Sequence, residues 1–574
     1  MSEPRIGVFV CYCGGNISDY VDVEKVRDAV AHEPGVVVAT TNMFTCSDEA
    51  QQNIIRTIAE EHLDGIVVAS CSPKLHLGTF RAMARRAGLN QYMYEQVNVR
   101  EQCSWAHTDD RAGATQKAIR LVRAGIARVF NGQPLETIRV ETVPRALVIG
   151  AGVSGLRAAL GLADLGLEVF LVERQERVGG QIGKWGPLFP SGRRGEDLIA
   201  ALAAEVDRRE GIHLYTGSRV VGKTGSVGSF DVRLESDTGQ VHELHVGAIV
   251  VATGFDRYRP REGEYGFGTP GVVTLEDFRG LLESAGADGI VYQGRPVHTV
   301  AYIYCVGSRQ GECDGCHPYC SRYCCTAAVH TALLAQERDP SLRQYHLYRD
   351  LRTYGQQELL YDEVLSKGSL FLKFADDDPP VVSGGDGALQ VAVHDRVTAG
   401  ELIELEPDLV VLVTGMEARQ NAELVDVLKI PLDKNGFFNE IHPKLRPVET
   451  VMDGIFIVGA SQGPKNVPES VASALAGVSK VAGLLLKGYV DLEPYVAEVD
   501  AARCSWCGEC QQACIYGAIE KVTQDGRQVA RINPSACKGC GACAPPCPEN
   551  AIELKGYTDR QVEGMISALA REVA

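Results

Sequence analysis

Eight of the chain's 19 cysteines fall in two runs of one spacing, Cys504-x2-Cys507-x2-Cys510-x3-Cys514 and Cys537-x2-Cys540-x2-Cys543-x3-Cys547-Pro548. Three thiolates two residues apart wrap one face of a [4Fe–4S] cube, and the fourth of each run reaches across to the other cube. The crossed pattern assigns Cys504, Cys507, Cys510 and Cys547 to one cluster and Cys537, Cys540, Cys543 and Cys514 to the other. Zinc sites usually take their four ligands as two separated pairs, so two runs of four favour iron–sulfur chemistry.

The remaining cysteines form two blocks, Cys11 to Cys103 and Cys305 to Cys325. The N-terminus has no basic flank before a long apolar stretch, and no apolar run of about 18 residues occurs anywhere, so the expectation is an unexported, cytoplasmic protein without a membrane span. A reducing compartment keeps thiols free, which turns so many cysteines toward metal binding or redox work. With 57 Lys+Arg against 74 Asp+Glu and a net charge of −17, nucleic acid is not an expected partner. No Ser-His-Asp arrangement or His-Glu-x-x-His helix supports hydrolysis, and no side chain is assigned a catalytic role.

Short apolar runs alternate with helix-like segments in residues 1–142, which reads as an α/β domain. A boundary is expected near residue 142, and the α/β pattern continues over 143–490. Residues 491–557 form the expected α+β domain of the two cysteine runs, and 558–574 a helical tail. Cys11, Cys13 and Cys71 follow apolar strands, where a parallel sheet presents its ligand-binding edge, and Cys46 and Cys103 are placed with them. Buried free thiols are the alternative for this block.

Arg145-Ala-Leu-Val-Ile-Gly150-Ala-Gly152-Val-Ser154-Gly155 leads a strand through a glycine-rich turn into a helix. The helix N-terminus then faces a pyrophosphate. A second strand ends at Glu173-Arg174, where a carboxylate can accept hydrogen bonds from a ribose. These features, with Gly179-Gly180-Gln181 and the strand ending at Gly254, resemble flavoproteins of the glutathione-reductase and thioredoxin-reductase type. The resemblance implies a Rossmann-like domain binding FAD. A third element, Asp453-Gly-Ile-Phe-Ile-Val-Gly459-Ala460, precedes Lys465, Val467 and Pro468. Such flavoproteins commonly carry Asp after that glycine, and Ala460 departs from the pattern. Amides of the helix starting near Pro468 favour negative charge on a reduced flavin. Lys465 either adds to this or is a solvated loop lysine.

A second nucleotide fingerprint is missing midway along the flavin domain. In its place stands Cys305-Val-Gly-Ser-Arg309, followed by Cys320, Cys324 and Cys325. This motif, with Val10-Cys11-Tyr-Cys13-Gly14-Gly15-Asn16-Ile17, Cys46, Ala69-Ser-Cys71-Ser-Pro73 and Asn98-Val-Arg-Glu-Gln102-Cys103-Ser-Trp105, resembles HdrA, the iron–sulfur flavoprotein subunit of heterodisulfide reductases, over essentially the whole chain. The resemblance implies a [4Fe–4S] cluster on Cys305, Cys320, Cys324 and Cys325. It also implies a non-standard cluster on four of the five N-terminal cysteines, with the choice between Cys11 and Cys13 open. Cys313 and Cys316 are left as an alternative ligand pair, a dithiol or a loop pair. The implied function is an FAD and iron–sulfur electron-transfer subunit working by flavin-based electron bifurcation. It would form a homodimer within a larger complex, with other subunits and iron–sulfur, hydrogenase or dehydrogenase donors as partners. Methanogen members carry a further ferredoxin module inserted in the flavin domain, and this chain has no second pair of such runs. The rival readings are a stand-alone NAD(P)H-dependent iron–sulfur flavoprotein reductase of a small molecule, and an assembly subunit whose clusters only stabilise the fold.

Overall fold

Continuous apolar runs such as Ile6–Cys11 and Gly65–Ser70 are buried along their whole length, as strands covered on both faces must be. In the computed structural model, which describes residues 3–286, 289–311, 315–385 and 388–571, they become β1 and β3 of a parallel sheet. Its order is β2-β1-β3-β4, with β2 at Val36–Asn42 and β4 at Tyr94–Asn98. The helices α1 (Val23–Val30), α2 (Asp48–Glu60), α3 (Pro73–Arg86) and α4 (Arg111–Phe130) alternate with the strands. Side chains of Asp22, Ser47, Ser72 and Asp110 accept the first free amides of the four helices. Parallel pairing collects every strand's carboxyl end on one edge, where the loops gather.

The chain divides into two units, residues 1–140 with 491–574, and residues 141–490. The N-terminal sheet, the paired cysteine runs and the tail, read from sequence as separate segments, thus share one unit. The closing amphipathic helix (Asp559–Ala570) needs cover for its apolar face, and the last turns of α4 provide it. Arg128 of α4 lies 4.3 Å over the Tyr557 ring, and its carbonyl accepts from Gln561 Nε2 at 3.2 Å. Between these ends of the chain's last segment, two short antiparallel pairs form, Ala497–Val499 with Ile552–Leu554 and Ile519–Gln524 with Arg527–Ile532.

The second unit holds two parallel five-stranded sheets. The first orders Ile455–Ile457, Ala248–Val251, β5 (Arg145–Ile149), β6 (Glu168–Val172) and Ile212–Tyr215, with α5 (Val153–Asp164) crossing from β5 to β6. The second orders Val272–Thr274, Leu409–Thr414, β7 (Thr299–Val306), Arg343–Tyr348 and Leu370–Lys373. Helix α6 (Cys324–Arg338) follows β7, and α7 (Val467–Leu485) follows the last strand of the first sheet. A three-stranded antiparallel sheet is inserted in each half. Among the described residues no helix is long and apolar enough to cross a membrane. Cys313 lies outside the described residues.

Candidate flavin and iron–sulfur sites

The turn from β5 into α5 opens on a cavity of about 850 Å³ lined by Gly150, Gly152, Ser154, Glu173, Arg174, Gly180, Gln181, Gly254, Lys465 and Val467, among others. Gly150 takes a φ of 102°, in the range that favours glycine. A Cβ on Gly155 would lie 1.7 Å from the Gly150 carbonyl oxygen, so α5 can approach the strand only with glycine there. Gly155 and Gly459 stand behind the wall rather than on it. At Gly459 a Cβ would meet Ser154 Oγ at 2.2 Å, so this residue lets the two segments of the cavity close together. Glu173 is held by amides, with Oε2 accepting from Ala151 at 2.8 Å and Oε1 from Gln175 at 3.0 Å. A fixed carboxylate beside a glycine turn and a helix N-terminus fits the dinucleotide half of FAD.

At the other end, α7 begins with a reciprocal cap between Asn466 and Glu469, with Pro468 in its first turn. Ala460, Lys465 and Asn466 line this wall. Burial draws the Lys465 ammonium down to about 8, so this side chain is not a solvated loop lysine. Arg419 was not legible as a site residue, because it follows the short strand Met416–Ala418, which pairs with Phe255–Arg257, and belongs to no glycine motif. It lines the cavity, with Nη2 donating to the Phe255 carbonyl at 3.0 Å and Nε to Asp256 at 3.0 Å.

Cys305 lies near the end of β7 with a φ of 61°, where the strand's pairing slips between Ile303 and Val306. Cys324 and Cys325 open α6 and are buried, as is Cys305, while Cys320 is half-buried in the preceding turn. The free Cys324 thiol donates a hydrogen bond to the Cys325 sulfur, which pushes Cys324 up and draws Cys325 down, and Cys305 and Cys320 are near enough to raise Cys324 further. The helix N-terminus favours thiolate at these positions. Cations surround the group. Arg349 donates to the carbonyls of Arg309 and Ser308 at 2.7 and 2.8 Å, and Arg309 has one buried Nη1 without a hydrogen-bond partner. Cys316 is disulfide-bonded. The left-handed backbone of Cys305, Arg309 and Arg322 concentrates strain at this site.

In the N-terminal sheet all five cysteines come to the carboxyl edge, but not as one group. Cys11 Sγ accepts from the Thr45 amide at 3.4 Å. Burial, followed by the nearby Cys11, raises the Cys46 thiol, and Cys13 adds to it. Burial pushes Cys71 up to about 11, with Cys13 again among its neighbours. Cys103 sits in a π-helical turn, Arg100–Ser104, fully buried. Burial also raises its thiol to about 11, and its one charged neighbour is Lys117 rather than another cysteine. Cys46 thus lies near Cys11 and Cys13, and Cys71 near Cys13, whereas Cys103, in the turn that packs on α4, has Lys117 and no cysteine acting on its thiol.

The two C-terminal runs fold with internal symmetry. Cys504, Cys507, Cys510 and Cys547 line one small cavity, the set that crossed ligation requires. Cys543 is raised to about 11 by burial and next by Cys537, with Cys514 also adjacent. The first sulfur of each run accepts a strand amide, Cys504 from Ala530 at 3.4 Å and Cys537 from Ala497 at 3.4 Å. The fourth accepts from the residue four positions on, Cys514 from Ala518 at 3.3 Å and Cys547 from Ala551 at 3.3 Å. Ile515, where the second run has Pro548, is exposed. Among the described residues no three His, Cys, Asp or Glu side chains converge as ligands of a single ion. A [4Fe–4S] cube takes one thiolate on each of four irons, and the set Cys504, Cys507, Cys510 and Cys547 has the composition it needs.

Known protein families match two segments of the chain. A family described as pyridine nucleotide-disulphide oxidoreductase matches residues 138–301, and one described as 4Fe-4S dicluster domain matches residues 497–554. An iron-sulfur subunit of the CoB--CoM heterodisulfide reductase of Methanopyrus kandleri is 37% identical over 610 residues, covering 92% of each chain. That alignment is longer than the 574-residue chain, so the relative has segments without counterpart here. A subunit of the H(2)/formate:CoB-CoM heterodisulfide,ferredoxin reductase of Methanococcus maripaludis is 34% identical, covering 99% of each. A solved thioredoxin reductase of Lactococcus lactis aligns with 60% of this chain and 99% of its own, at 19% identity and a TM-score of 0.42. With its flavin-type cavity, its 4Fe-4S dicluster segment and relatives aligned almost end to end, the chain belongs to the HdrA family, the iron–sulfur flavoprotein oxidoreductase subunits of heterodisulfide reductases.

Proposed function

We propose that the chain is the FAD- and [4Fe–4S]-carrying electron-transfer subunit of a heterodisulfide-reductase-like complex, with one FAD and four clusters. The observation that carries this reading is the adjacency of Tyr323 and Cys324. Tyr323 lines the flavin cavity, and the next residue belongs to the thiol group at the head of α6. A cluster held there lies within one side chain of the flavin cavity.

When bound, FAD supplies exchange of two electrons with release one at a time, and each cluster carries one. The chain's own residues prepare the sites for this chemistry. Glu173, fixed by two amides, holds the ribose end. Lys465 and the first amides of α7 face negative charge at the other end. Arg309 and Arg349 offset charge around the Cys305 group, and the four amide–sulfur bonds orient the C-terminal ligands. In this reading Cys11, Cys13, Cys46 and Cys71 hold the N-terminal cluster.

The second parallel sheet keeps a Rossmann-like form, but Cys305-Val-Gly-Ser-Arg309 fills the turn where a nicotinamide dinucleotide would need glycines. Electrons then reach the flavin from other subunits or an iron–sulfur donor, and not from NAD(P)H. Anaerobic mixing of the isolated protein with NAD(P)H tests this. Flavin absorbance should persist with NAD(P)H and bleach with a reduced ferredoxin, whereas rapid bleaching by NAD(P)H contradicts the proposal. The same reading includes a homodimer within the larger complex, which the mass of the purified native assembly checks.

A further inference from the structure

The N-terminal thiol group contains one charged side chain that the cysteine pattern does not account for. Arg100 opens the π-helical turn after β4. Its Nη1 donates to Cys13 Sγ at 3.6 Å, its Nη2 to Glu101 at 2.8 Å, and its Nε is buried without a partner. The Trp105 ring stacks on the guanidinium at 4.5 Å. Trp105 is 51% exposed while the Arg100 side chain is 15% exposed, so the indole stands between the cation and water.

A cube bound by four thiolates is anionic and gains negative charge on reduction. Hydrogen bonds to its sulfurs and a shielded cation both favour the reduced form. Screening by water weakens such a charge, and a stacked indole limits that screening. We propose that Arg100, held by Glu101 and covered by Trp105, is a positioning residue that raises the reduction potential of the cluster bound by Cys11, Cys13, Cys46 and Cys71. This inference rests on the N-terminal cluster proposed above.

The test is a potentiometric titration of the whole purified protein followed by electron paramagnetic resonance. The N-terminal signal is identified as the one lost in Cys71→Ser, and the C-terminal clusters serve as internal reference. Arg100→Gln should move the N-terminal midpoint to more negative potential, Arg100→Lys should restore most of it, and Trp105→Ala should shift it in the same direction as Arg100→Gln by less. The reference clusters should not move. Loss of the cluster in Arg100→Gln with retention in Arg100→Lys also supports the charge role. An unchanged midpoint at full iron content, or loss of the cluster in both variants, overturns it. Iron content that does not fall in Cys71→Ser contradicts the N-terminal cluster itself, and the inference with it.

Discussion

The guanidinium of Arg322 meets the carboxylate of Glu469, tying the turn that carries Cys320 to the first turn of α7. Glu469 also accepts from the Asn466 amide at 3.0 Å and from the Tyr354 hydroxyl at 2.9 Å. It is thus both half of a capping box and a link between the thiol group and the flavin cavity. Glu469→Ala should cost about 1–2 kcal/mol, since a cap and two side-chain bonds are lost together. Glu469→Gln keeps the cap and should cost less than about 1 kcal/mol, because the Arg322 side chain is 49% exposed and its ion pair is screened. Denaturant unfolding of the two variants checks the order.

Lys465 gives the flavin site a pH dependence of known sign. With its ammonium drawn down to about 8 by burial, it is positive at pH 7 and loses its charge as pH rises through about 8. Its contribution to holding an anionic group should therefore be full at pH 6–7 and gone by about pH 9. Binding of the reduced, anionic flavin should weaken over that window, while binding of oxidised FAD, whose ring is neutral, should change little. Lys465→Met should lower the flavin midpoint potential at pH 7 by the equivalent of about tenfold weaker binding of the reduced form and remove the step, as measured by redox titration of the bound flavin.

Gly155→Ala places a methyl group where the Gly150 carbonyl oxygen stands. The strand–turn–helix unit must open, and with it the pyrophosphate end of the cavity. The variant should purify without flavin while retaining the iron of residues 491–557, which belong to the other unit. Absorbance spectra and iron assays read both outcomes.

Crossed ligation makes two distant substitutions behave as opposites. Cys547→Ser should remove the cluster shared with Cys504, Cys507 and Cys510, whose side chains line the same small cavity. Cys514→Ser should remove the one shared with Cys537, Cys540 and Cys543. Each should lower iron by about four atoms, and the two should abolish different resonance signals.

The parts of this molecule that sequence made legible are those whose chemistry depends on local spacing. The two cysteine runs, the glycine turn at Gly150 and the Pro468 helix start all act within a few residues. The choice among five N-terminal cysteines was not legible, because it depends on how four separate loops meet at a sheet edge. Cys103 lies in the π-helical turn Arg100–Ser104, a position that strand periodicity does not predict. Arg419 was missed for the same reason, since it reaches its site from a strand end distant in sequence, and Arg100 was read only as part of the stretch around Cys103. The joining of the closing helix to α4 was also hidden, because amphipathic periodicity states that a face needs cover and not what covers it.

The most direct test of one flavin and four clusters in a single chain is the count of iron, acid-labile sulfide and FAD per chain in protein purified without oxygen, together with the other subunits that accompany it. Close to one FAD and about sixteen irons are expected, with further subunits of a redox complex bound. About eight irons with one FAD would confine the clusters to the C-terminal runs and contradict the proposed roles of Cys305 to Cys325 and of the N-terminal sheet edge.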